Sequence, residues 1–384
     1  METLSKNYRL PAEWEPQEAI MLTWPKNLET WPHQLPQVEK FYCSLIREIA
    51  ESQDVWLTVD PSTHSVRSGQ APSMQDRVQK MLKQNSVQLD RVRFFEIPTF
   101  DSWVRDYGPL TLKRAHEHTS HVRQRTDQPQ AEAYDEEHSS HCASRFTLHA
   151  SRLMTNWVFD GWGGKYDAQY RLDSQLPQIL SEQVEIPCQA IDFILEGGSI
   201  EVNGKGTLIT STNCLLNQNR NKKYSQKEIE KVLCDNLGVR HIIWVSGEIR
   251  GDDTDGHIDD AVRFVNESTV VCIDEENKAD ENYKGIQKMF GDIRDPSTKL
   301  GAGANDKPLN VVRLPMPAPV YFQETRLPAS YANFLITNHK VLMPTYRCSN
   351  DAVALKILQE LFPSRRVVGL DCTDVVCGLG AIHC

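Results

Sequence analysis

A repeated succession of two strands, a helix and a third strand constrains, more than any other feature, what this chain can fold into. In the clearest copy, residues 198–211 form two β-like runs around an Asn-Gly turn, which is the strongest short-range hairpin signal. Residues 226–237 follow with apolar side chains at helical spacing, and 241–245 form an apolar strand. Residues 260–316 and 333–370 repeat the succession. The second half of the chain is therefore predicted to consist of β-β-α-β modules.

The spacing of these copies bounds the number of modules. The asparagines of the three turns, Asn203, Asn266 and Asn338, are separated by 63 and 72 residues. A module of about 65–70 residues leaves room for about five in this chain. The N-terminal half fits more loosely, with strands predicted at 19–24, 55–59 and 92–97 and helices at 37–51 and 74–84. We therefore predict one ring-like α/β domain over residues 1–384, although length alone suggests two or three domains.

Residues 114–149 interrupt the repeat with a polar stretch that holds six of the twelve histidines. A metal-binding tract is one interpretation of this composition. The other, which we favour, is a polar insertion between two strands of one hairpin. The histidines have no fixed ligand spacing and no accompanying cysteine pattern, as a metal site would require.

Charge and composition narrow the classes of partner. A net charge of −10 argues against nucleic acid as the main partner and suits a cationic substrate. The N-terminus lacks an apolar run of signal-peptide length, and no apolar stretch reaches about 18 residues, so no membrane contact is expected. The ten cysteines include no C-x-x-C pair, which is typical of reduced thiols. These features predict a cytoplasmic protein, and they leave open whether it forms a homo-oligomer.

Polar loops precede the predicted hairpins at equivalent positions of successive modules. We call them the leading loops, and they are FDSWVRDYGP at 100–109, ILEGGS at 194–199, GDDTDGHIDD at 251–260 and RLPASY at 326–331. If the modules surround an axis, these loops meet at its centre and form one pocket. The side chains in them that could carry chemistry are Trp103, Asp106, Glu196, His257 and Asp259.

The chain ends in CGLGAIHC, where Gly378 and Gly380 allow close turns that would bring Cys384 to the same centre. The assembled set is a thiol, an imidazole and three carboxylates. Carboxylates match the fork of a guanidinium, a thiolate can attack its carbon, and an imidazole can transfer the protons. This chemistry requires no metal and no organic cofactor. The aspartates at 252–255 lack the spacing of a calcium loop, and the rival thiol Cys377 has no neighbouring histidine.

Seven motifs in order resemble the agmatine deiminase family, which also contains bacterial peptidyl-arginine deiminases. They are LPAEWEPQEAIMLTWP, WVRDYGP, GWGGK, FILEGGSIE, GDDTDGHID, RLPASYANF and GAIHC. The resemblance runs from Leu10 to Cys384, except for the insertion. It implies the fold of the guanidine-modifying superfamily, a five-bladed α/β-propeller of β-β-α-β modules with pseudo-fivefold symmetry and a central active site.

The resemblance also assigns roles to residues of this chain. It implies that Cys384 is the nucleophile, that His257 is the general acid and base, and that Asp106 and Asp259 bind the guanidinium. Further, Glu196 matches the third carboxylate of the family site, and Trp103 matches an aromatic residue of the substrate pocket. Family members continue for several residues past the cysteine, and a terminal carboxylate beside the thiol is expected to disfavour the thiolate.

The implied reaction is hydrolytic deimination of agmatine to N-carbamoylputrescine and ammonia through an S-amidino-cysteine intermediate. The alternatives are a deiminase of peptidyl or free arginine and a non-catalytic relative that binds guanidines. Arginine carries a carboxylate that needs a basic partner. Only Arg105, which Asp106 is expected to occupy, and Arg326 fall near the leading loops, so Arg326 is the first candidate for that contact. We therefore predict that free arginine is at least about a hundredfold poorer as a substrate.

Overall fold

The computed structural model of the chain describes residues 4–61, 73–115, 151–166, 168–295 and 308–384, which form a mixed α/β fold. Of the predicted insertion at 114–149, only residues 114 and 115 belong to the described ranges. Its two interpretations, a metal-binding tract and a polar insertion, therefore stay predictions. Arg114 and Ser151, at the two ends of this segment, lie close together, because the backbone N–H of Arg114 donates to the carbonyl of Ser151 at 3.0 Å. Within the described ranges, no helix has both the length and the apolar composition needed to cross a membrane.

Strands and helices alternate along most of the chain. The strands are β1 Tyr8–Arg9, β2 Ala19–Thr23, β3 Asp54–Val59, β4 Val92–Glu96, β5 Leu110–Arg114, β6 Arg152–Val158, β7 Cys188–Ile194, β8 Ile200–Val202, β9 Thr207–Ser211, β10 His241–Val245, β11 Val262–Asn266, β12 Thr269–Asp274, β13 Asn310–Pro315, β14 Tyr321–Phe322, β15 Thr325–Arg326, β16 Leu335–Ile336, β17 Lys340–Thr345 and β18 Arg366–Asp371. The helices are α1 Leu35–Ala50, α2 Met74–Gln84, α3 Val104–Tyr107, α4 Gly161–Gly164, α5 Leu176–Val184, α6 Thr212–Leu215, α7 Gln226–Leu237, α8 Tyr283–Arg294 and α9 Asn350–Leu361.

Three sheets in the second half have the predicted β-β-α-β order. Their strand orders are β8-β9-β10, β11-β12-β13 and β16-β17-β18. In each, the first two strands pair antiparallel and the last two pair parallel. Parallel neighbours cannot be joined by a tight turn, and α7, α8 and α9 supply the crossovers.

The N-terminal half departs from this order. Strands β2, β3 and β4 form a sheet in which all neighbours are parallel, joined through α1 and α2. A second sheet has the order β1-β5-β6-β7, and its β5–β6 pair is antiparallel, whereas β6–β7 is parallel. A two-stranded ribbon, β14–β15, completes the described strands. The sheets are separate and open, so strand pairing among the described residues closes no barrel.

Amphipathic helices pack these sheets into the core. In α1, Val38, Leu45 and Ile49 are almost fully buried and lie at helical spacing. Burying such a side chain stabilises a fold by about 1.5–3 kcal/mol before entropy is counted. Helix α7 begins with a capping box between Ser225 and Glu228, and it ends at Gly238, whose φ of 68° suits a residue without a side chain.

The leading loops meet as the repeat predicts. Short turns at Gly197–Ser199 and Ile258–Asp260 come directly before β8 and β11. The first packs against α3, which precedes β5, and the second packs against the first. The chain end joins them, because the N–H of Arg105 donates to the carbonyl of Cys384 at 3.0 Å. Segments that are far apart in sequence therefore share one centre.

Candidate active site

A cavity of about 180 Å³ lies where the leading loops meet the chain end. Of the predicted site residues, Trp103, Asp106, His257 and Cys384 line it. Asp259 lies beside them, since its Oδ2 is 4.0 Å from the Cys384 sulfur. The thiol, the imidazole and two of the predicted carboxylates are thus brought together.

The backbone of Gly198 is the point on which three of these groups converge. Its N–H donates to Asp106 Oδ1 at 3.0 Å. A Cβ at position 198 would lie 2.6 Å from His257 Nδ1, 2.8 Å from Asp106 Oδ1 and 3.1 Å from Asp259 Oδ1. Glycine is therefore required here because the functional atoms occupy the space of a side chain.

Asp106 is buried and is held by two hydrogen bonds. Its Oδ1 accepts the N–H of Gly198, and its Oδ2 accepts the indole N–H of Trp162 at 2.9 Å. Burial, followed by the charge of Asp259, raises the pKa of Asp106 well above its usual range, although the hydrogen bond from Trp162 acts against this. The carboxylate is therefore poised to ionise when a cation binds.

Trp162 was not predicted as a site residue, although its motif, GWGGK, stands out in the sequence. It has a φ of 57°, and its neighbours Gly161 and Gly163 also have positive φ, so α4 is a sharp left-handed turn. The side chain of Asp160 fixes this turn by accepting the N–H of Gly163 at 2.8 Å. A non-glycine residue rarely adopts this conformation, and here the turn aims an indole N–H at Asp106.

His257 is an almost fully buried imidazole. Burial lowers the pKa of His257 to about 3, and the charges of Arg220 and Arg105 add to the effect, so the ring is neutral near pH 7. Its Nδ1 is 3.6 Å from Asp106 Oδ1, and its Nε2 has no hydrogen-bond partner among the described residues. A neutral imidazole with an unoccupied nitrogen is able to accept a proton.

Asp259 is fully buried, and its two oxygens have different surroundings. Its Oδ2 lies 2.7 Å from His383 Nδ1 and accepts a longer hydrogen bond from Asn333. Its Oδ1 has no partner among the described residues. Burial acts to raise the pKa of Asp259, but the hydrogen bond and charge of His383 outweigh it and lower the pKa. An unpaired oxygen on a buried, ionised carboxylate is costly unless a cationic ligand occupies it.

A second layer of charge supports His383. Its Nε2 lies 3.2 Å from Glu13 Oε2, and Glu13 also pairs with the fully buried Arg263. Burial opposes ionisation, yet the charges of Arg263 and His383 lower the pKa of Glu13 to about 2. The sequence motif that contains Glu13 gave no hint of this contact, because 370 residues separate Glu13 from His383.

The thiol of Cys384 is surrounded by negatively charged side chains. Asn333 Nδ2 donates to its sulfur at 3.0 Å. Burial, together with the charges of Asp259, Asp260 and Asp106, raises the pKa of the Cys384 thiol well above its usual range. The thiol is therefore protonated near pH 7, and a bound cation would favour the thiolate.

Glu196 lies behind His257 and does not line the cavity. Both its carboxylate oxygens accept from Arg220 Nε, at 2.9 and 3.0 Å, and both side chains are fully buried. In this structure the guanidinium of Arg220 occupies the carboxylate of Glu196, and the expected contact between Glu196 and the substrate stays a prediction. Arg220 lies in the segment NQNRNKK, where no sequence motif draws attention to it.

The aspartates of GDDTDGHIDD have different hydrogen-bond partners. Asp252 accepts the N–H and the hydroxyl of Thr254 at 2.7 and 2.6 Å, and it thereby builds the turn. Asp255 accepts from Arg220 Nη1 at 2.7 Å. Asp253 faces the cavity, where Tyr166 donates its hydroxyl to it. Only part of this acidic cluster is therefore available to a ligand.

The two basic residues that were expected near the site have other partners. Arg326 Nη1 donates to Asp280 at 2.8 Å, and Arg326 does not line the cavity. Arg105 does not pair with Asp106, as was expected, but donates to the carbonyl of Ile200 at 3.3 Å. Among the described residues, no lysine or arginine lines the cavity, whereas Glu29, Asp101 and Asp253 do.

Two groups in the described part of the chain have possible metal-ligand atoms within 4.8 Å of one another. They are Glu196, Cys214 and His257, and Asp259, Asp260 and Cys384. In each group one carboxylate already has a strong partner, Arg220 for Glu196 and His383 for Asp259. The prediction that the site uses no metal stays a prediction.

The fold and the site together define a class: mixed α/β proteins in which a thiol, a neutral imidazole and buried carboxylates share a cavity suited to a guanidinium. The model of the family described as Porphyromonas-type peptidyl-arginine deiminase matches residues 9–384. The chain belongs to this family, whose members are hydrolases that act on guanidino C–N bonds.

Similar proteins carry related names. Two Legionella pneumophila proteins named "Putative agmatine deiminase" are 29% and 30% identical to this chain, and each alignment covers 100% of the chain and 96% of the relative. The substrate-bound agmatine deiminase of C. jejuni is 28% identical with a TM-score of 0.77, over 98% of this chain and 94% of that one. The Enterococcus faecalis agmatine deiminase is 26% identical with a TM-score of 0.79, over 100% and 96%.

Proposed function

We propose that this protein hydrolyses agmatine to N-carbamoylputrescine and ammonia, with Cys384 as the nucleophile. One observation carries the proposal: a thiol and a neutral imidazole line one cavity, and a buried carboxylate oxygen without a hydrogen-bond partner among the described residues lies beside them. The unpaired atom is Asp259 Oδ1, and a guanidinium N–H is the donor that would satisfy it with matching charge and geometry. Asp106 would take a second N–H of the same group.

The bound guanidinium promotes formation of the thiolate that attacks its own carbon. Its positive charge offsets Asp106 and Asp259, which are two of the groups that hold the pKa of the Cys384 thiol high. The thiol passes its proton to the neutral imidazole of His257, and the thiolate sulfur forms a bond to the guanidinium carbon. His257 protonates one NH₂ group of the tetrahedral adduct, which leaves as ammonia, so that an S-amidino intermediate remains.

Hydrolysis completes the cycle. The imidazole of His257, neutral after it has given up its proton, removes a proton from water, and the resulting hydroxide attacks the same carbon. The C–S bond breaks as the adduct loses its hydroxyl proton to solvent, the sulfur regains a proton from His257, and the carbon leaves as a ureido group. The net change adds one water and releases one ammonia. No redox partner is needed.

The lining of the cavity favours agmatine over arginine. Agmatine carries an ammonium besides its guanidinium, and Glu29, Asp101 and Asp253 supply carboxylates to the lining. Arginine would add an α-carboxylate beside these groups, with no cationic side chain among the described lining residues. An unpaired buried carboxylate lowers kcat/KM by about a hundredfold or more.

The test is ammonia release from agmatine, free arginine and an arginine-containing peptide. We expect turnover of agmatine, with arginine at least about a hundredfold lower in kcat/KM. Cys384→Ala should abolish turnover without a loss of fold, and Cys377→Ala, which removes a second thiol of the same cavity, is the matched control. Wild-type turnover by Cys384→Ala would sink the assignment of the nucleophile.

A deiminase of peptidyl or free arginine is the second candidate. The name of the matching family favours it, as does a Porphyromonas gingivalis protein named "Putative Arginine Deiminase", which is 31% identical with a TM-score of 0.76. Arg326 would have to leave Asp280 to hold the substrate carboxylate. Comparable kcat/KM values for agmatine and arginine would select this candidate, and guanidine binding without ammonia release would indicate a non-catalytic relative.

The proposal includes the architecture implied by the repeat. Five sheets of three or four strands would surround one axis as a single domain over residues 1–384, with the cavity at the centre. The five open sheets and the convergence of the leading loops support this arrangement. The central cavity suits a small cationic guanidine as the partner.

A further inference from the structure

Arg220 has a fully buried side chain, and the mechanism above does not use it. Its Nε donates to both carboxylate oxygens of Glu196, at 2.9 and 3.0 Å. Its Nη1 donates to Asp255 at 2.7 Å and to Asn219 at 3.1 Å, and its Nη2 donates to the carbonyl of Thr254 at 2.9 Å. The guanidinium therefore binds two leading loops at once, the one before β8 and the one before β11.

Thr254 connects this contact to the backbone of His257. Its hydroxyl accepts the N–H of His257 at 3.0 Å and donates to Asp252 at 2.6 Å. Arg220 binds the carbonyl of the same threonine, which precedes the imidazole by 3 residues. A displacement of Arg220 would therefore move the turn from which the imidazole extends.

Glu196 is also close to the imidazole itself. A carboxylate oxygen of Glu196, the sulfur of Cys214 and a ring nitrogen of His257 lie within 4.8 Å of one another, and all three residues are buried. His257 Nε2 has no hydrogen-bond partner among the described residues. A buried carboxylate so near an imidazole favours the protonated ring unless a cation offsets the negative charge. Arg220 supplies that cation, because it pairs directly with Glu196.

Both signs of charge act on the imidazole of His257. Besides the thiol of Cys214, the ionisable side chains that act on it or lie beside it are Asp106, Asp255, Asp259, Glu196, Arg105 and Arg220. Burial lowers the pKa of His257 to about 3, Asp259 opposes this, and Arg220 adds more to it than Arg105 does. Arg220 thus supports the neutral ring through its charge as well as through the backbone.

We propose that Arg220 is a positioning residue, which clamps the turn of His257 and offsets the charge of Glu196, so that the imidazole stays neutral and its Nε2 stays free for proton transfer. This inference deepens the proposed function and rests on it, because it takes His257 as the base of that reaction. Arg220 does not line the cavity, so it acts through other residues and not on the substrate.

Three variants separate the charge of Arg220 from its hydrogen bonds. Arg220→Gln removes the charge, whereas Arg220→Lys keeps it but loses the planar fork. The double variant Arg220→Gln/Glu196→Gln removes both charges of the pair, so it leaves no buried carboxylate without a partner at this position. Lys165→Gln is the matched control, because Lys165 pairs with Asp255 as Arg220 does, at 2.7 Å, but is partly exposed.

NMR of protein labelled with ¹³C at histidine Cε1 reports the charge of the imidazole without any substrate. The resonance of His257 is the one that His257→Asn lacks. In wild type and Lys165→Gln it should not titrate above about pH 4, since the pKa of His257 is about 3. Its midpoint should rise by about one to two pH units in Arg220→Gln, and by less than half of that in Arg220→Lys and in the double variant.

Ammonia release from agmatine supplies the second measurement. Arg220→Gln should lower kcat about tenfold to a hundredfold, with KM changed by no more than about threefold, because the displaced group is the base and not a ligand of the guanidinium. The double variant should have a kcat at least about tenfold below that of Glu196→Gln alone, since only the double variant lacks the clamp on Thr254.

The outcomes separate this inference from the proposed function. A folded Arg220→Gln with an unchanged His257 midpoint and normal kcat would overturn the role of Arg220, as would equal kcat values for the double variant and Glu196→Gln. Failure of Arg220→Gln and of the double variant to fold, measured by circular dichroism, would make Arg220 a structural anchor and would also contradict the proposal. Turnover by Cys384→Ala would overturn the proposed function, whatever the titration of His257 shows.

Discussion

A substitution at Gly198 would displace the side chains that meet in the site without removing any functional group. The substitution Gly198→Ala adds one methyl group at the point where Asp106, His257 and Asp259 meet. No positive φ is recorded for Gly198, so alanine can adopt its backbone conformation. The effect should therefore come from the space that the methyl group needs and not from backbone strain.

The distances give the size of the effect. An ordinary contact to a Cβ begins near 3.4 Å, whereas the added atom would lie 2.6 Å from His257 Nδ1 and 2.8 Å from Asp106 Oδ1. The imidazole or the backbone must move by roughly 0.8 Å to relieve this, and a misplacement of about 1 Å costs about a hundredfold in rate. Crowding of a packed core also lowers the free energy of unfolding by about 1–3 kcal/mol.

The assay is kcat/KM for ammonia release, measured together with urea unfolding. Gly291→Ala is the matched control, because Gly291 lies in α8 and a Cβ there meets nothing within 4 Å. The control should keep full activity and gain up to about 1 kcal/mol of stability, since alanine favours a helix. If folded Gly198→Ala retained activity within a few-fold of wild type, the convergence on residue 198 would not be the site of reaction.

Three further outcomes test the surroundings of the site. Glu13→Gln should lower activity and reduce the free energy of unfolding at pH 7 by roughly 3 kcal/mol, since the pKa of Glu13 is lowered from 4.5 to about 2. A lowered pKa stabilises the fold above about pH 4.5, and this contribution is lost as the pH falls towards 2, so urea unfolding of wild type and variant should converge there. Replacing residues 116–144 by a short Gly-containing link should leave activity within a few-fold, because Arg114 and Ser151 are already hydrogen-bonded neighbours; a hundredfold loss in a folded variant would show that the segment takes part in the site. Incubation with a strong chelator should leave the rate unchanged, and zinc-dependent recovery of a lost rate would contradict the metal-free mechanism.

Local periodicity in the sequence located most of the secondary structure. The predictions for α2 at 74–84, α7 at 226–237 and β10 at 241–245 agree with the structure residue for residue. These elements bury one face against the core, and that requirement fixes the spacing of their apolar residues. The parallel sheet β2-β3-β4 was harder to assign to a module, because parallel pairing has no turn signature of its own.

The sequence also located the main groups of the candidate site. Cys384, His257, Asp106 and Asp259 stand in glycine-flanked or aspartate-rich motifs, and the repeat indicated that their loops would meet. Whether a particular carboxylate faces the cavity could not be inferred in this way. Asp106 and Glu196 occupy similar loops, yet one lines the cavity and the other is bound by Arg220.

The sequence by itself determined the order of the modules, the motifs of the leading loops and the set of reactive side chains, because these depend on short-range pattern and residue type. Only the tertiary structure decided which of those side chains have partners. Asn333 reaches Cys384 across 51 residues, and Glu13 reaches His383 across 370. Hydrogen bonds and ion pairs depend on distances of about 3 Å between atoms, and residues so far apart in the chain reach such distances only when the whole fold has formed.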